Sequence, residues 1–259
     1  MIEFRGKTLL AARRPRRAKI TLSELNDLYQ PVWTRELALL HPAKVKLSLE
    51  DPRLFIFCGQ LHVALTGCHF AFAPQRTSMV IARLDGNFTA QSLWIPEYGG
   101  SQIHEKNWQF FESDGDLFSV YSVNPHVILR HEDAQAHVAG WTACPIAMKP
   151  GTMLRGGAPP VRVGNEFYHW FHTVETAGGL IRYGFGLYTF DPMPPFTIRR
   201  WSNRILFSTG DQLSGWNKLV VFPCGALLRR GHWIISYGWQ DRECRVALFD
   251  AGDVERQLQ

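Results

Sequence analysis

Five strand-turn-strand hairpins recur along this chain, and no other feature narrows its possible folds as far. Their turns fall at Gly6 in EFRGKTLLAARR, Gly59 in LFIFCGQLHVALTG, Asp114-Gly115 in WQFFESDGDLFSVYS, Gly164-Asn165 in VRVGNEFYHWFHT and Arg230-Gly231 in GALLRRGHWIISYG. From glycine to glycine these lie 53, 56, 49 and 67 residues apart. Short turns carrying Gly, Asn or Asp between β-branched and aromatic runs are hairpin chemistry. A repeat of this period in a strand-rich chain marks propeller blades or solenoid coils.

A further strand-like segment follows each hairpin: residues 18–25, 78–85, 126–132, 180–190 and 244–250. No helix of three turns is expected, since the best candidate, SELNDLYQPVWTREL, is interrupted by Pro31. Five units of three to four antiparallel strands predict an all-β chain folded as a five-bladed β-propeller, whose radial blades leave few open edges. A β-sandwich is the alternative, but it has no need of one unit five times. At 259 residues, one closed domain spanning 1–259 is expected.

Composition excludes several classes of function. With 46% hydrophobic and 20% charged residues the chain is not a disordered one. No stretch of about 18 apolar residues exists, and MIEFRGKTLLAARR is too charged for a signal peptide, so the reading is a cytoplasmic protein without a membrane partner. Cys58, Cys68, Cys144, Cys224 and Cys244 form no C-x-x-C pair. The set is neither a disulfide framework nor a zinc site, and most of the five read as small buried hydrophobes. His104, His126, His131 and His137 show no ligand spacing, and no metal or organic cofactor is expected. A serine nucleophile would need a G-x-S-x-G elbow, which is absent.

The net charge of +5 admits an anionic partner. Arg13, Arg14, Arg16, Arg17 and Lys19 in RRPRRAK form a run that would hold phosphate or nucleic acid; the alternative is a solvated basic loop between strands. No RNA-binding aromatic signature or helix-turn-helix pattern accompanies it, so nucleic acid is not the expected partner. Aromatics at 13%, with nine Trp, suit strands and equally suit sugars, because a flat ring offers an apolar platform to a pyranose. Oligomeric state is not legible.

In a hairpin the start of the first strand and the end of the second lie side by side, opposite the turn. Residues at those mouths are therefore the candidates for a common pocket. First-strand starts carry Asp51 and Arg53 in EDPRLF, Lys106 and Asn107 in HEKNWQFF, Pro159 and Pro160 in GGAPPVRV, and Pro223 in VVFPCG. Second-strand ends carry Arg13 or Arg14, Tyr121 and Ser122, His172, and Tyr237 leading to Asp241. Each has a plain structural alternative. Asp51 would serve as a turn acid before Pro52, Arg53 as a partner of Glu50, Lys106 as a surface residue, His172 as a core histidine, and Asp241 as a turn residue. Trp108 and Trp239 are either sugar platforms or core packing.

EDPRLF, EKN, GGAPPVR, the His that closes the fourth hairpin, and VVFPCG followed by YGWQD together resemble glycoside hydrolase family 130, the five-bladed mannoside phosphorylases and their relatives. The resemblance runs from about residue 2 to residue 250. It implies Asp51 as general acid, with Arg14, Arg53, Lys106 and His172 facing inorganic phosphate as co-substrate, and Asn107, Trp108, Tyr237 and Asp241 contacting sugar. Members also carry an Asn- and Ser-containing loop before the first strand, where this sequence has Met1-Ile2-Glu3-Phe4.

The implied chemistry is inverting cleavage of a β-mannoside by phosphate to α-mannose 1-phosphate, with an oligosaccharide or sugar phosphate as partner. One protonated carboxyl assists the leaving oxygen while the nucleophile attacks the opposite face. Phosphate needs cations to hold it rather than a second carboxylate to activate water. A β-mannosyltransferase, a hydrolase and a non-catalytic carbohydrate-binding propeller are the alternatives of the same fold.

Overall fold

The computed structural model describes residues 1–14, 19–39, 47–69, 76–202, 207–208 and 218–259. Arg16 and Arg17 of the basic run lie outside them. Five successive sheets organise the chain, and the fold class is the five-bladed β-propeller. The first sheet is the meander Ile2–Phe4, Lys7–Arg14, Lys19–Leu25, Pro31–Glu36. The second is Leu47–Phe57, Gln60–His69, Arg76–Leu84, Ala90–Trp94. In the third, Gln109–Ser113, Asp116–Ser122, His126–Glu132 and Gln135–Thr142 pair in order, and Glu97–Tyr98 adds in parallel to the last.

The fourth sheet is built on the long pair Glu166–Ala177 and Leu180–Phe190. Met153–Arg155 and Val161–Val163 both pair with the first of these, and Ile198–Trp201 with the second. The fifth is Val221–Arg229, His232–Trp239, Glu243–Asp250, followed by the short helix Ala251–Glu255 capped by Asp250.

All five turns read from sequence are hairpin turns. In four of them both central residues have positive φ: Arg5-Gly6, Cys58-Gly59, Asp114-Gly115 and Arg230-Gly231. That is the type I′ geometry whose twist matches paired strands, and glycine carries the second position without a Cβ penalty. The segment containing Pro31 is not helical. Asn26 Oδ1 accepts from the backbone of Leu28 and Gln30, which makes a turn, and Pro31 begins an exposed edge strand where a missing N–H is tolerated.

The chain divides into two compact units, Met1–Ser119 with Leu129–His137, and Val120–Ile128 with Val138–Gln259. The first has a core of aliphatic side chains from its first two sheets, among them Leu9, Leu22, Leu54, Val63 and Val80, all at most 1% exposed. The second has an aromatic core from the fourth and fifth sheets, centred on Trp170, Phe185, Val221, Trp233 and Ile235. Alternation puts these residues on one strand face, and their burial is the main favourable term in folding. Among the described residues no helix is long and apolar enough to cross a membrane.

Candidate active site

Within the first unit the D-P-R segment forms a β-bulge. Glu50 pairs with Thr66 and Arg53 with Ala64, so Asp51 and Pro52 stand together opposite the single residue Leu65. Pro52 has no N–H for the ladder, and Asp51 is in the left-handed region at φ 52°. A bulge bends its strand and re-aims a side chain, and Asp51 is half-buried rather than packed in the core.

Arg53 holds this geometry. Its side chain is among the largest fully buried ones, at 1% exposure. Nη1 donates to the Asp51 carbonyl at 2.7 Å, and Nη2 donates to Asn107 Oδ1 at 3.3 Å. Asn107 is itself buried and left-handed, at φ 64°, and its carbonyl accepts from Gln109 Nε2 at 3.0 Å. A guanidinium presents its donors in a fixed fork, so one buried group holds the Asp51 backbone and the Asn107 side chain, 56 residues apart in sequence. Two non-glycine residues in the left-handed region at the head of neighbouring blades represent stored backbone strain of the kind that gathers at functional sites.

Other charges gather near this bulge. Glu50 carries an ion pair with Arg13 at 2.6 Å, on the partly exposed mouth of the first hairpin. Burial pushes the Cys68 thiol pKa up, the charges of Glu50 and Asp51 push it further, and Lys106 and Arg13 pull it down. Two carboxylates and two cations thus act on one buried atom. Lys106 and Arg14 are exposed. Trp108, at 1% exposure, donates from Nε1 to Glu105 Oε2 at 2.9 Å and packs near Phe110 and His131, so its indole serves the core of this unit.

In the second unit His172 is 3% exposed, and its Nδ1 donates to the Gly156 carbonyl at 2.8 Å. A carbonyl only accepts, so this bond selects the Nδ1–H tautomer and leaves Nε2 as the basic nitrogen of the neutral ring. Tyr183 stacks on the imidazole at 5.9 Å and Phe222 meets it edge-on at 5.3 Å. Tyr237 is buried, packs near Phe185, and pairs with Pro223 beside a second bulge. Asp241 is exposed at φ 54° in the Gln240-Asp241 turn, and Arg245 lies 3.8 Å above the ring of Trp239.

Sequence reading did not single out Glu105. Its carboxylate accepts from the Gln102 N–H and from Trp108, and its own N–H donates to Thr77 O. The i,i+3 spacing of Glu105 and Trp108 was the available signal. Nor did it find a cavity of about 570 Å³ in the first unit, which Glu105 and Trp108 help to line.

The architecture is like that of solved structures of glycoside hydrolase family 130. A β-1,2-mannobiose phosphorylase from Listeria innocua, solved with β-1,2-mannobiose, is similar with a TM-score of 0.66 over 92% of this chain and 69% of its own, at 15% identity. A structure from a study of the GH130 mannoside phosphorylases, a family described as containing hydrolases that target β-1,2-mannosidic linkages, has a TM-score of 0.62 over 95% of this chain and 85% of its own, at 13% identity. A mannose phosphorylase from Leishmania mexicana, in complex with a phosphate ion, has a TM-score of 0.55 over 95% of this chain and 80% of its own, at 13% identity. No protein-family model matches the sequence, and no curated protein does. At such identities the likeness is one of fold, and the chemistry has to be argued from the residues.

Proposed function

We propose that this protein is a carbohydrate-active enzyme on β-mannosides, an inverting phosphorylase with Asp51 as its general acid. The observation that carries this is the buried Arg53 fork, which fixes the Asp51 backbone and Asn107 at once. A carboxyl that must deliver a proton to one oxygen has to be held to a fraction of an ångström, and such positioning is a large part of catalysis. Structural turn acids have no need of a fully buried guanidinium behind them.

In the proposed reaction the Asp51 carboxyl protonates the glycosidic oxygen as its bond to the anomeric carbon breaks. A phosphate oxygen forms the new bond from the opposite face, giving α-mannose 1-phosphate and a sugar with a free hydroxyl. The side chains of Arg14, Lys106 and His172 are assigned to phosphate and those of Asn107, Tyr237 and Asp241 to sugar; Trp108, which the sequence also offered to sugar, is instead buried at 1% exposure with its indole bonded to Glu105. Arg53 differs from the other cations in this scheme: it acts on phosphate through the backbone it holds as well as by its charge. Production of a sugar phosphate suits the cytoplasm, as do five cysteines that form no disulfide.

The test is incubation with α-mannose 1-phosphate and a panel of sugar acceptors, following phosphate release, with Asp51→Asn as control. The expected result is acceptor-dependent release that falls at least a hundredfold in the variant. No release with any acceptor, or equal release from Asp51→Asn, sinks the proposal. Free mannose formed from a β-mannoside without phosphate moves it to hydrolysis.

A further inference from the structure

Glu105 is a carboxylate at 7% exposure in a stretch of the first unit that belongs to no strand. Residues 105–108 lie between the bridge from His104 to Thr77 and the strand Gln109–Ser113, so their backbone has no ladder to fix it. Two main-chain bonds tie the entry of the stretch to the second sheet: Thr77 N donates to Ile103 O and Glu105 N to Thr77 O, each at 3.1 Å. The Glu105 side chain closes the other end. Its Oε1 accepts from Gln102 N and its Oε2 from Trp108 Nε1 at 2.9 Å. One carboxylate thus joins the residue three before it to the residue three after it. The residue type matters, because both oxygens accept, neither carries a proton, and bonds to an ion are stronger than neutral ones.

Two residues assigned to the reaction stand inside this clamp. Lys106 and Asn107 follow Glu105 directly, with Glu105 and Asn107 buried and Lys106 exposed. They are not held alike. Asn107 has an anchor of its own, since its Oδ1 accepts from Arg53 Nη2 at 3.3 Å. The place of Lys106 is set through its two neighbours. Loss of the Glu105 clamp therefore frees the lysine more than the asparagine, and it leaves the Arg53 bond to the Asp51 carbonyl untouched.

Resting on the reading of Lys106 as a phosphate ligand of a phosphorylase, we infer that Glu105 is a positioning residue for the phosphate group. It sets where Lys106 stands and does not touch substrate. Its charge and its geometry act in opposite directions. An anion one residue from a phosphate-binding lysine repels the ligand, so by charge alone neutralising it would tighten binding. By geometry neutralising it loosens binding, because a glutamine has one accepting oxygen and turns an NH2 group toward the other donor. The sign of the change separates the two.

KM for α-mannose 1-phosphate and kcat are measured from phosphate release, with the acceptor that supports release by the wild type. Glu105→Gln is expected to raise this KM roughly tenfold and to change kcat by less than about threefold. In a Lys106→Ala background the same substitution should change KM by less than about twofold, since the clamp then has no lysine to place. A role in stability alone lowers the folded fraction, and with it the apparent kcat, and leaves KM where it was. Should Glu105→Gln fail to fold, Trp108→Phe decides: it keeps a ring in the core, removes the indole donor and should raise KM about threefold. An unchanged or lower KM in the variant that folds, or an undiminished effect of Glu105→Gln without Lys106, overturns the inference and leaves the phosphorylase standing. A wild type that releases no phosphate from α-mannose 1-phosphate overturns both.

Discussion

Arg53 and Asn107, 54 positions apart in sequence, meet in the interior of the first unit, where Nη2 of the arginine donates to the amide oxygen at 3.3 Å. The same guanidinium holds the Asp51 carbonyl at 2.7 Å, so the proposed acid and the head of the next blade are fixed by one side chain.

Replacing Arg53 is expected to act on fold and function together. Arg53→Ala removes a buried donor from two oxygens and empties a large volume, and should lower stability by roughly 3 kcal/mol. Arg53→Lys keeps the charge but not the fork, and should cost about half as much while still reducing turnover more than tenfold. Denaturant midpoints and phosphate release, measured on the same preparations, separate the two effects.

At position 51 the backbone makes its own demand. With φ at 52°, Asp51→Asn and Asp51→Gly should retain wild-type stability, Asp51→Ala should lose about 1 kcal/mol and Asp51→Val more, because a Cβ is penalised in the left-handed region and a branched one most. All four should be equally inactive. A thermal-melt ranking that does not follow this order would show that the bulge relaxes.

Acid should destabilise the protein before its carboxylates titrate. Burial holds the pKa of both His126 and His131 down at about 4, against about 6.5 in an unfolded chain. Their folded-state pKa values are depressed, so between pH 6.5 and 4 the unfolded chain takes up protons that the folded one refuses. Stability is complete above about pH 7 and falls as pH drops through this window, by roughly 3 kcal/mol per histidine at pH 4. His131→Leu, which also removes the partner of Ser119 Oγ, should be less stable at pH 7.5 yet lose less between pH 7.5 and 4.5. Urea midpoints across that range provide the check.

Gly157 is expected to tolerate no side chain. A Cβ there would lie 2.3 Å from the Trp170 carbonyl oxygen and 2.6 Å from the Pro223 ring. Gly157→Ala should therefore cost roughly 3 kcal/mol and shift the neighbouring Gly156 carbonyl that holds His172. A change in the His172 imidazole chemical shifts by NMR, absent in Gly86→Ala at an exposed position, would tie the clash to the imidazole.

Much of the fold was legible because hairpins are local. Arg5-Gly6, Cys58-Gly59 and Asp114-Gly115 state their turn type within two residues, and the third strand of each unit follows within about a dozen. The candidate residues were only partly legible. EDPR announces a site, but nothing local says that Arg53 is buried against Asn107, that Glu50 pairs with Arg13, or that the indole of Trp108 is spent on Glu105 and the core. The cavity left no motif, because segments around 69–79 and 95–108 build it jointly.

Sequence alone thus determined the five hairpins, their turns and the all-β propeller class, since backbone twist, alternation and glycine conformations act over a few residues, while the extra strands that give the third and fourth sheets five and seven were not legible. Tertiary structure alone decided which charges are buried and what they hold. A guanidinium on one blade finds its acceptor on the next only after both sheets have formed, and its direction is set by packing that no local pattern records.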